Sequence, residues 1–164
     1  MRTISESDNS LHTKENGSIK IIRVDTNEVL ASTRNKVVNS SSTIKASALV
    51  GGPSAQYISA VRLGFVDFET VPVVLEIETG LVNPIAEIPV GYDIDPRPFF
   101  EDDSELKSLA STVTWTAIIP ADDEYTFDEA GLFSDQGIMW SRATFSRIVK
   151  PVGVAMALLW KMEF

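Results

Sequence analysis

The most constraining feature of the sequence is the alternation of large apolar side chains with other residues over 154–164. Every second position there is apolar: Val154, Met156, Leu158, Trp160, Met162 and Phe164. Successive side chains of a β-strand point to opposite faces, so these six share one face of a long strand. Such a face has to be covered by a second layer. The segment therefore predicts a two-layer antiparallel β-sandwich.

Preceding segments predict further antiparallel strands. Residues 111–119 alternate between threonines and larger side chains, which is typical of a half-buried strand. Residues 125–133 follow a polar turn as the next strand. A tight loop at 134–137 then leads into another strand, and Gly137 can adopt positive φ in that loop.

The N-terminal third predicts a hairpin, one short helix and a strand. Two β-prone runs at 19–24 and 29–33 flank a polar turn, which is a hairpin pattern. Residues 40–50 begin with serine, carry apolar residues such as Leu49 at helical spacing, and stop at a Gly-Gly-Pro sequence. They predict a short helix that lies against a sheet. Residues 57–64 alternate again and predict a strand.

Two segments lack these patterns. Residues 1–17 are polar and charged, with too little apolar area to offset the entropy of ordering, so we expect a mobile, extended arm before a sandwich domain at 18–164. Residues 65–110 contain five prolines, and we expect an irregular acidic insertion because proline interrupts regular elements. Within it, residues 73–78 are the expected strand.

Motif residues near the C-terminus carry a resemblance to a known family. Five motifs follow one another in this part of the chain. They are a Glu-x-Gly-Leu-Phe strand, an Asp-x-Gly turn, an Arg-Ala-x-Phe strand, a Lys-Pro pair and a final strand with Trp and Phe. The matching residues are Glu129, Gly131, Leu132, Phe133, Asp135, Gly137, Arg142, Ala143, Phe145, Lys150, Pro151, Trp160 and Phe164. This order resembles the closing segment of a family of bacteriophage virion proteins with tail-fibre, collar-fibre and adhesin-type members. A helix followed by a strand ending in Leu63-Gly64 continues the resemblance, which spans residues 19–64 and 108–164.

The resemblance implies a structural protein and names no active site. It implies a location in the virion, after assembly in the host bacterial cytoplasm, and contacts with other virion proteins. Strands with apolar residues on both faces, such as Ile118-Ile119 and Leu158-Leu159, also predict a homo-oligomer. A trimer is favoured by the family resemblance alone. A tail, collar or baseplate fibre protein is the main hypothesis, and the alternatives are a host-surface receptor- or carbohydrate-binding adhesin module and a capsid decoration protein.

The charge distribution argues against a nucleic-acid partner. Residues 67–129 hold sixteen acidic and two basic side chains, a net charge of −14, which repels phosphate backbones. A solvated surface or a basic partner would fit this charge. Since no apolar run approaches the roughly 20 residues of a membrane helix, we expect no membrane insertion. The first ten residues also lack the apolar middle of a signal peptide.

We expect no enzymatic activity, metal or cofactor. The sole histidine, His12, falls in the predicted arm, and without cysteine the usual Ser-His and Cys-His arrangements lack a base or a nucleophile. The acidic turn at 122–124 could flank a glycosidic bond, but adjacent acids in a turn fit a solvated loop better. Asp93 and Asp95, or the acids at 101–103, offer oxygen ligands for Ca²⁺ without the spacing of a calcium loop.

Aromatic residues supply the candidate binding and assembly positions. The strand tryptophans fit a core, a subunit interface or a carbohydrate platform. The assembly candidates are Trp115, Trp140, Leu158, Trp160 and Phe164. The candidates for a receptor or partner loop are Tyr92, Phe99, Phe100, Glu101, Asp102 and Asp103. An exposed groove formed by Trp140 with Tyr92 or Phe99 would favour the adhesin hypothesis, whereas burial between chains would favour the structural one.

Overall fold

The computed structural model describes residues 16–96 and 111–163. In chain order its elements are β1 (Asn16–Arg23), β2 (Val29–Arg34), β3 (Lys36–Val37), α1 (Ser41–Val50), a 3-10 turn (Gly52–Ser54), β4 (Ile58–Gly64), β5 (Pro84–Pro96), β6 (Ser111–Ile119), β7 (Tyr125–Ser134), β8 (Met139–Lys150) and β9 (Met156–Glu163). Of the predicted arm, residues 1–15 lie outside the described part. Strand β1 starts two residues before the predicted domain boundary.

The nine strands form one antiparallel sheet that folds over on itself. Their order is β2-β1-β9-β6-β5-β4-β7-β8-β3. Strand β5 belongs to both halves, because its first part pairs with β4 and the part from Val90 onward pairs with β6. Strands β2, β1, β9 and β6 form the first layer, and β4, β7, β8 and β3 form the second. The predicted mainly β antiparallel fold with one helix is confirmed, and its two layers are halves of one continuous sheet.

The two edges of this sheet are joined by the chain itself. Strand β2 lies at one edge and β3 at the other, with only Asn35 between them in sequence. The Asn35 backbone N–H donates to Gly17 O at 3.2 Å, and its Nδ2 donates to Ser141 Oγ at 3.2 Å. Asn35 thereby links β1 to β8, and the sheet is nearly closed. A Cβ at position 17 would collide with the Asn35 and Met162 side chains, so both would have to shift to accept a larger residue there.

The core fills the space between the layers. The alternating face predicted for the last strand is fully or almost fully buried at Met156, Leu158, Trp160 and Met162. These residues belong to one cluster with apolar side chains of the second layer. There, Phe127 packs edge-on against Phe145, with ring centroids 5.9 Å apart. The face therefore needs a covering layer, as predicted, and finds it within the same chain.

Strand β5 corrects the prediction that residues 65–110 are irregular. It runs for 13 residues, more than any other described strand. Pro84 and Pro96 lie at its ends, and Pro89 lies opposite Ala60 of β4, where β5 changes its partner to β6. Because the missing N–H of Pro89 falls at this change of partner, the sheet continues past it.

Residues 65–83 cross the second layer without strand structure, so the strand predicted at 73–78 is wrong. Side chains, rather than a neighbouring strand, tie this segment down. The buried Asp128 carboxylate accepts the backbone N–H groups of residues 66–68 at distances of 2.8–3.1 Å. Thr144 Oγ1 donates to Pro72 O at 2.7 Å. The segment thus obtains its hydrogen bonds locally and needs no β ladder.

A buried ion pair holds the β7–β8 hairpin to the same segment. Glu129 and Arg142 are 0% and 3% exposed, with Arg142 Nη2 2.5 Å from Glu129 Oε2. Arg142 Nη1 also lies 2.8 Å from Glu78 Oε2. Burial lowers the pKa of Arg142, but hydrogen bonds to Glu78 and Glu129 outweigh it, and the net shift of that pKa is upward. Glu129 further accepts the backbone N–H groups of Val82 and Asn83.

Lys150, at the end of β8, is completely buried. Its Nζ donates to the carbonyl oxygens of Ala121, Asp123 and Pro151. Two of these carbonyls belong to the turn between β6 and β7, and the third follows β8. A single ammonium group therefore satisfies the backbone of two turns.

Helix α1 matches the predicted helix in position. It ends at Gly51 with φ 69°, a conformation that glycine adopts without strain. The Ser40 hydroxyl donates to Met139 O at 2.6 Å and does not cap the helix. Ile44 is buried, but Leu49 is 90% exposed. The helix therefore packs through a narrower face than its apolar spacing indicates.

Candidate functional site

An apolar groove of about 580 Å³ lies between α1 and strands of both layers. A volume in this range is typical of small-molecule sites. Its principal lining residues are Leu49, Tyr57, Tyr92, Val113, Trp115 and Trp140. They come from the helix, from the residue just before β4, and from strands β5, β6 and β8. We call this feature the aromatic groove.

Two buried tryptophans form part of the lining of the aromatic groove. Trp115 of β6 and Trp140 of β8 are 7% and 8% exposed. Their ring centroids lie 6.3 Å apart, and the ring planes are inclined by 48°. This separation and tilt are typical of a favourable aromatic pair. Because one ring belongs to each layer, the site depends on the folding over of the sheet.

Two tyrosines and a lysine surround these tryptophans. Tyr57 and Tyr92 are 65% and 71% exposed. Lys45 Nζ lies 5.6 Å from the centroid of the Trp140 ring, within the range of a cation–π contact. The aromatic groove thus has two exposed tyrosine rings beside two buried tryptophans, and Lys45 contacts one of these tryptophans.

The β7–β8 turn holds the segment that carries Tyr57. Asp135 Oδ1 accepts the Tyr57 backbone N–H at 3.2 Å, and the Asp135 N–H donates to Tyr57 O at 2.9 Å. Ser134 Oγ donates to the Gln56 side chain at 2.8 Å, and this contact is buried. Gly137 closes the turn with φ 76°, as predicted. The turn motif therefore positions one wall of the aromatic groove.

The lining residues determine what the aromatic groove can do chemically. Flat aromatic faces suit the apolar face of a sugar ring or an apolar side chain of a partner protein. No carboxylate occurs among the described residues that line the groove.

The structure brings together three residues that the sequence singled out, Trp115, Trp140 and Tyr92. The sequence analysis missed Tyr57, although it lies in a predicted strand and follows a Gly-Gly-Pro turn. It also placed Leu49 on the packed face of the helix. Neither residue carries a local signal for a site, because the groove arises only when distant segments meet.

Leu158 and Trp160 are corrected as assembly candidates. Both are 0% exposed in the single chain. Strand β9 lies between β1 and β6 and directs this face into the core, so the folded protein cannot present these side chains to a neighbour. The remaining candidates, Phe99, Phe100, Glu101, Asp102, Asp103 and Phe164, lie outside the described residues.

The acidic turn predicted at 122–124 is not part of the lining of the aromatic groove. Lys150 donates hydrogen bonds to the backbone carbonyls of Ala121, just before this turn, and of Asp123, within it. Within residues 16–96 and 111–163, no three His, Asp or Glu side chains are grouped to hold a metal ion. Among the helices of the same residues, none has both the length and the hydropathy to cross a membrane.

The chain matches no protein-family model, no curated protein and no solved structure. Its function has to be inferred from its own residues.

Proposed function

We propose that the chain is a non-enzymatic structural component of a bacteriophage virion, a tail, collar or baseplate fibre protein. In this proposal it resides in the virion after assembly in the bacterial cytoplasm. It contacts further copies of itself, with a trimer as the favoured state, and other virion proteins. The residues that precede β1 tether it to a neighbouring subunit.

The location of the motif residues supports this proposal. Glu129 and Arg142 pair inside the β7–β8 hairpin, and Gly137 closes its turn. Lys150 binds turn carbonyls, and Trp160 lies in the core. Each of these residues determines how the chain folds. The chain resembles a family with tail-fibre and collar-fibre members through these motif residues, and this resemblance supports the proposal.

The proposal is tested on purified particles from the source that encodes the chain. Particles are banded in a density gradient, stripped of loosely bound protein with high salt, and analysed by quantitative mass spectrometry. We expect the chain in the particle band at a fixed ratio to the capsid protein, and antibody labelling at the tail or collar. Intact particles that lack the chain would contradict the proposal, and labelling over the whole shell would favour a decoration protein.

A second candidate function, a host-surface receptor- or carbohydrate-binding adhesin module, is favoured by the aromatic groove. Tyr57 and Tyr92 present exposed aromatic faces at a groove that is also lined by the buried Trp115–Trp140 pair. Such faces stack on sugar rings. This function is compatible with the first, because fibre proteins of the family include adhesin-type members.

The second function is tested by titrating the protein with oligosaccharides released from bacterial lipopolysaccharide while tryptophan emission is recorded. Tyr92→Ser removes an exposed aromatic face, and we expect it to weaken binding about tenfold. Val152→Ser, at an exposed position outside the groove, is the matched control and should bind as the wild type does. Unchanged emission with every oligosaccharide, or equal affinity of Tyr92→Ser and wild type, would remove the support for this function.

A further inference from the structure

A cleft of about 1090 Å³ lies where the start of α1, the β2–β3 segment, the start of β1 and the end of β9 meet. Its volume is at the upper end of the range of small-molecule sites. We call this feature the polar cleft, because hydroxyl and amide side chains form much of its lining: Ser18, Thr33, Asn35, Asn39, Ser41 and Ser42. Among the described lining residues it shares only Lys45 with the aromatic groove.

Two cations are placed side by side on one face of the sheet at the polar cleft. Ser18 of β1 lies opposite Arg34 of β2 and opposite Lys161 of β9, so the three side chains share a face. All three line the cleft. Neighbouring strands are about 4.8 Å apart, which puts the positions of Arg34 and Lys161 roughly 10 Å from each other with the serine between them.

The surrounding sequence is basic in an otherwise acidic chain. Residues 16–52 hold five basic and two acidic side chains, although the formal net charge of the whole chain is −9. An anion that approaches the protein therefore meets least repulsion on the side that these residues form.

Arg34 is the available cation of the polar cleft. Within residues 16–96 and 111–163 its side chain forms no ion pair and no hydrogen bond. Lys36 is engaged, because its Nζ lies 2.7 Å from Glu76 Oε1. Lys161 Nζ lies 3.4 Å from Glu163 Oε1, and both of these side chains are close to half exposed. Such an exposed pair is weak, so Lys161 can also turn towards a ligand.

Ser41 supplies an unpaired hydroxyl on the part of the lining that α1 forms. The residue is only 3% exposed. Its hydroxyl makes no hydrogen bond to any part of the chain that the structure describes, and it is not sealed off from the cleft. Since buried hydroxyl groups normally have a partner, this one is suited to bind a ligand group.

Side chains, rather than the backbone of the helix N-terminus, are the binding groups here. The N–H groups of Ser41, Ser42 and Thr43 already donate to carbonyl oxygens at 38–40. A ligand in the polar cleft is therefore recognised by guanidinium, ammonium, hydroxyl and amide groups.

We propose that the polar cleft binds a small hydroxyl-rich anion, a sugar or sugar acid that carries a phosphate or carboxylate group. Arg34 pairs with the anionic group, because its planar guanidinium matches both phosphate and carboxylate. Ser18 and Ser41 bind hydroxyl groups of the ligand. Residues 71–74, an apolar part of the lining, contact its carbon skeleton. The inference requires neither the virion assignment nor a ligand in the aromatic groove.

Isothermal titration calorimetry of the full chain tests this proposal. The probes are glucose 1,6-bisphosphate, trigalacturonate and, as a neutral control, maltotriose. We expect at least one anionic probe to bind with a dissociation constant below about 1 mM, and maltotriose not to bind. The preference between the two anionic probes identifies whether phosphate or carboxylate is the recognised group.

Variants of single residues locate the binding. Arg34→Gln should raise the dissociation constant about tenfold or more, because charge-assisted hydrogen bonds are lost. Ser41→Ala should raise it about threefold to tenfold. The matched control is Arg23→Gln, the same change at the other end of β1 and outside the lining, which should alter it by less than about twofold.

A second measurement keeps the test independent of folding defects. Titration of the wild-type protein followed by amide NMR should shift the signals of residues 34–36 and 41–45. Failure of both anionic probes to bind at about 10 mM, equal binding of maltotriose, wild-type affinity of Arg34→Gln or Ser41→Ala, or shifts confined to residues outside the cleft would overturn the proposal. Tyr92→Ser should leave this binding unchanged, so failure of one proposal leaves the other intact.

Discussion

At the scale of single residues, buried charges are the most demanding feature of this protein. Glu129 and Arg142 are almost inaccessible to water and rely on each other, on Glu78 and on backbone N–H groups. A buried charge that loses its partner is costly, whereas an exposed ion pair contributes little. The chain contains both a buried and an exposed ion pair, so their contributions to stability can be compared by mutation.

We predict that Glu129→Gln destabilises the fold by about 3–5 kcal/mol, because it leaves the buried Arg142 guanidinium with one carboxylate partner. The matched control is Glu87→Gln, which breaks the exposed pair with Arg62 at 2.6 Å and should cost less than about 1 kcal/mol. Urea unfolding of both variants gives the two values. Similar midpoints for the two variants would show that the buried pair has no special role.

Replacing Lys150 with methionine should cost about 1–3 kcal/mol, since the apolar stem is kept while the Asp123 and Pro151 carbonyls lose their donor. The Ala121 carbonyl keeps the Gly153 N–H as a donor. Lys161→Met is the control, because its side chain is 43% exposed and its replacement should change stability by no more than about 0.5 kcal/mol. Thermal unfolding followed by circular dichroism compares the two. A Lys150→Met protein as stable as the control would mean that water replaces the ammonium group.

At the scale of elements, the last strand has the largest effect. Removing residues 157–164 deletes Leu158, Trp160 and Met162, and each fully buried side chain contributes about 1.5–3 kcal/mol. It also separates β1 from β6. Since the stability of a domain is about 5–15 kcal/mol, we predict that the truncated chain does not fold. A cooperative melt of a soluble truncated chain, recorded by circular dichroism, would contradict this prediction.

Elements with a local periodic signal could be predicted, and elements defined by distant partners could not. The alternation at 111–119 gave the bounds of β6, and Gly51 gave the end of α1. Strand β5 was not predicted, because a proline inside a segment normally interrupts a strand. Pro89 is tolerated only because β5 changes its partner from β4 to β6 at this residue. The apolar run at 73–78 predicts a strand, but its segment is held by hydrogen bonds to Asn39 and Thr144, which are remote in sequence and leave no local signal.

At the scale of the whole molecule, the candidate site follows the same rule. The sequence identified Trp115, Trp140 and Tyr92 as candidates but left open whether they form a core, an interface or a platform. Their convergence depends on the folding over of the sheet at β5, which has no local signal. The sequence therefore predicted some of the residues that line the groove, but it could not predict that they come together in one site.

The pairing of β1 with β9 has a consequence for the nascent chain. Arg23 lies opposite Met156, so the ribosome has to deliver almost the whole described sequence before β1 finds its second neighbour. Contacts so distant in sequence carry a large loop-closure entropy and make folding slow. During translation the β1–β2 hairpin and β6 both wait with an unpaired edge, and that interval is when chaperones protect the chain or aggregation removes it.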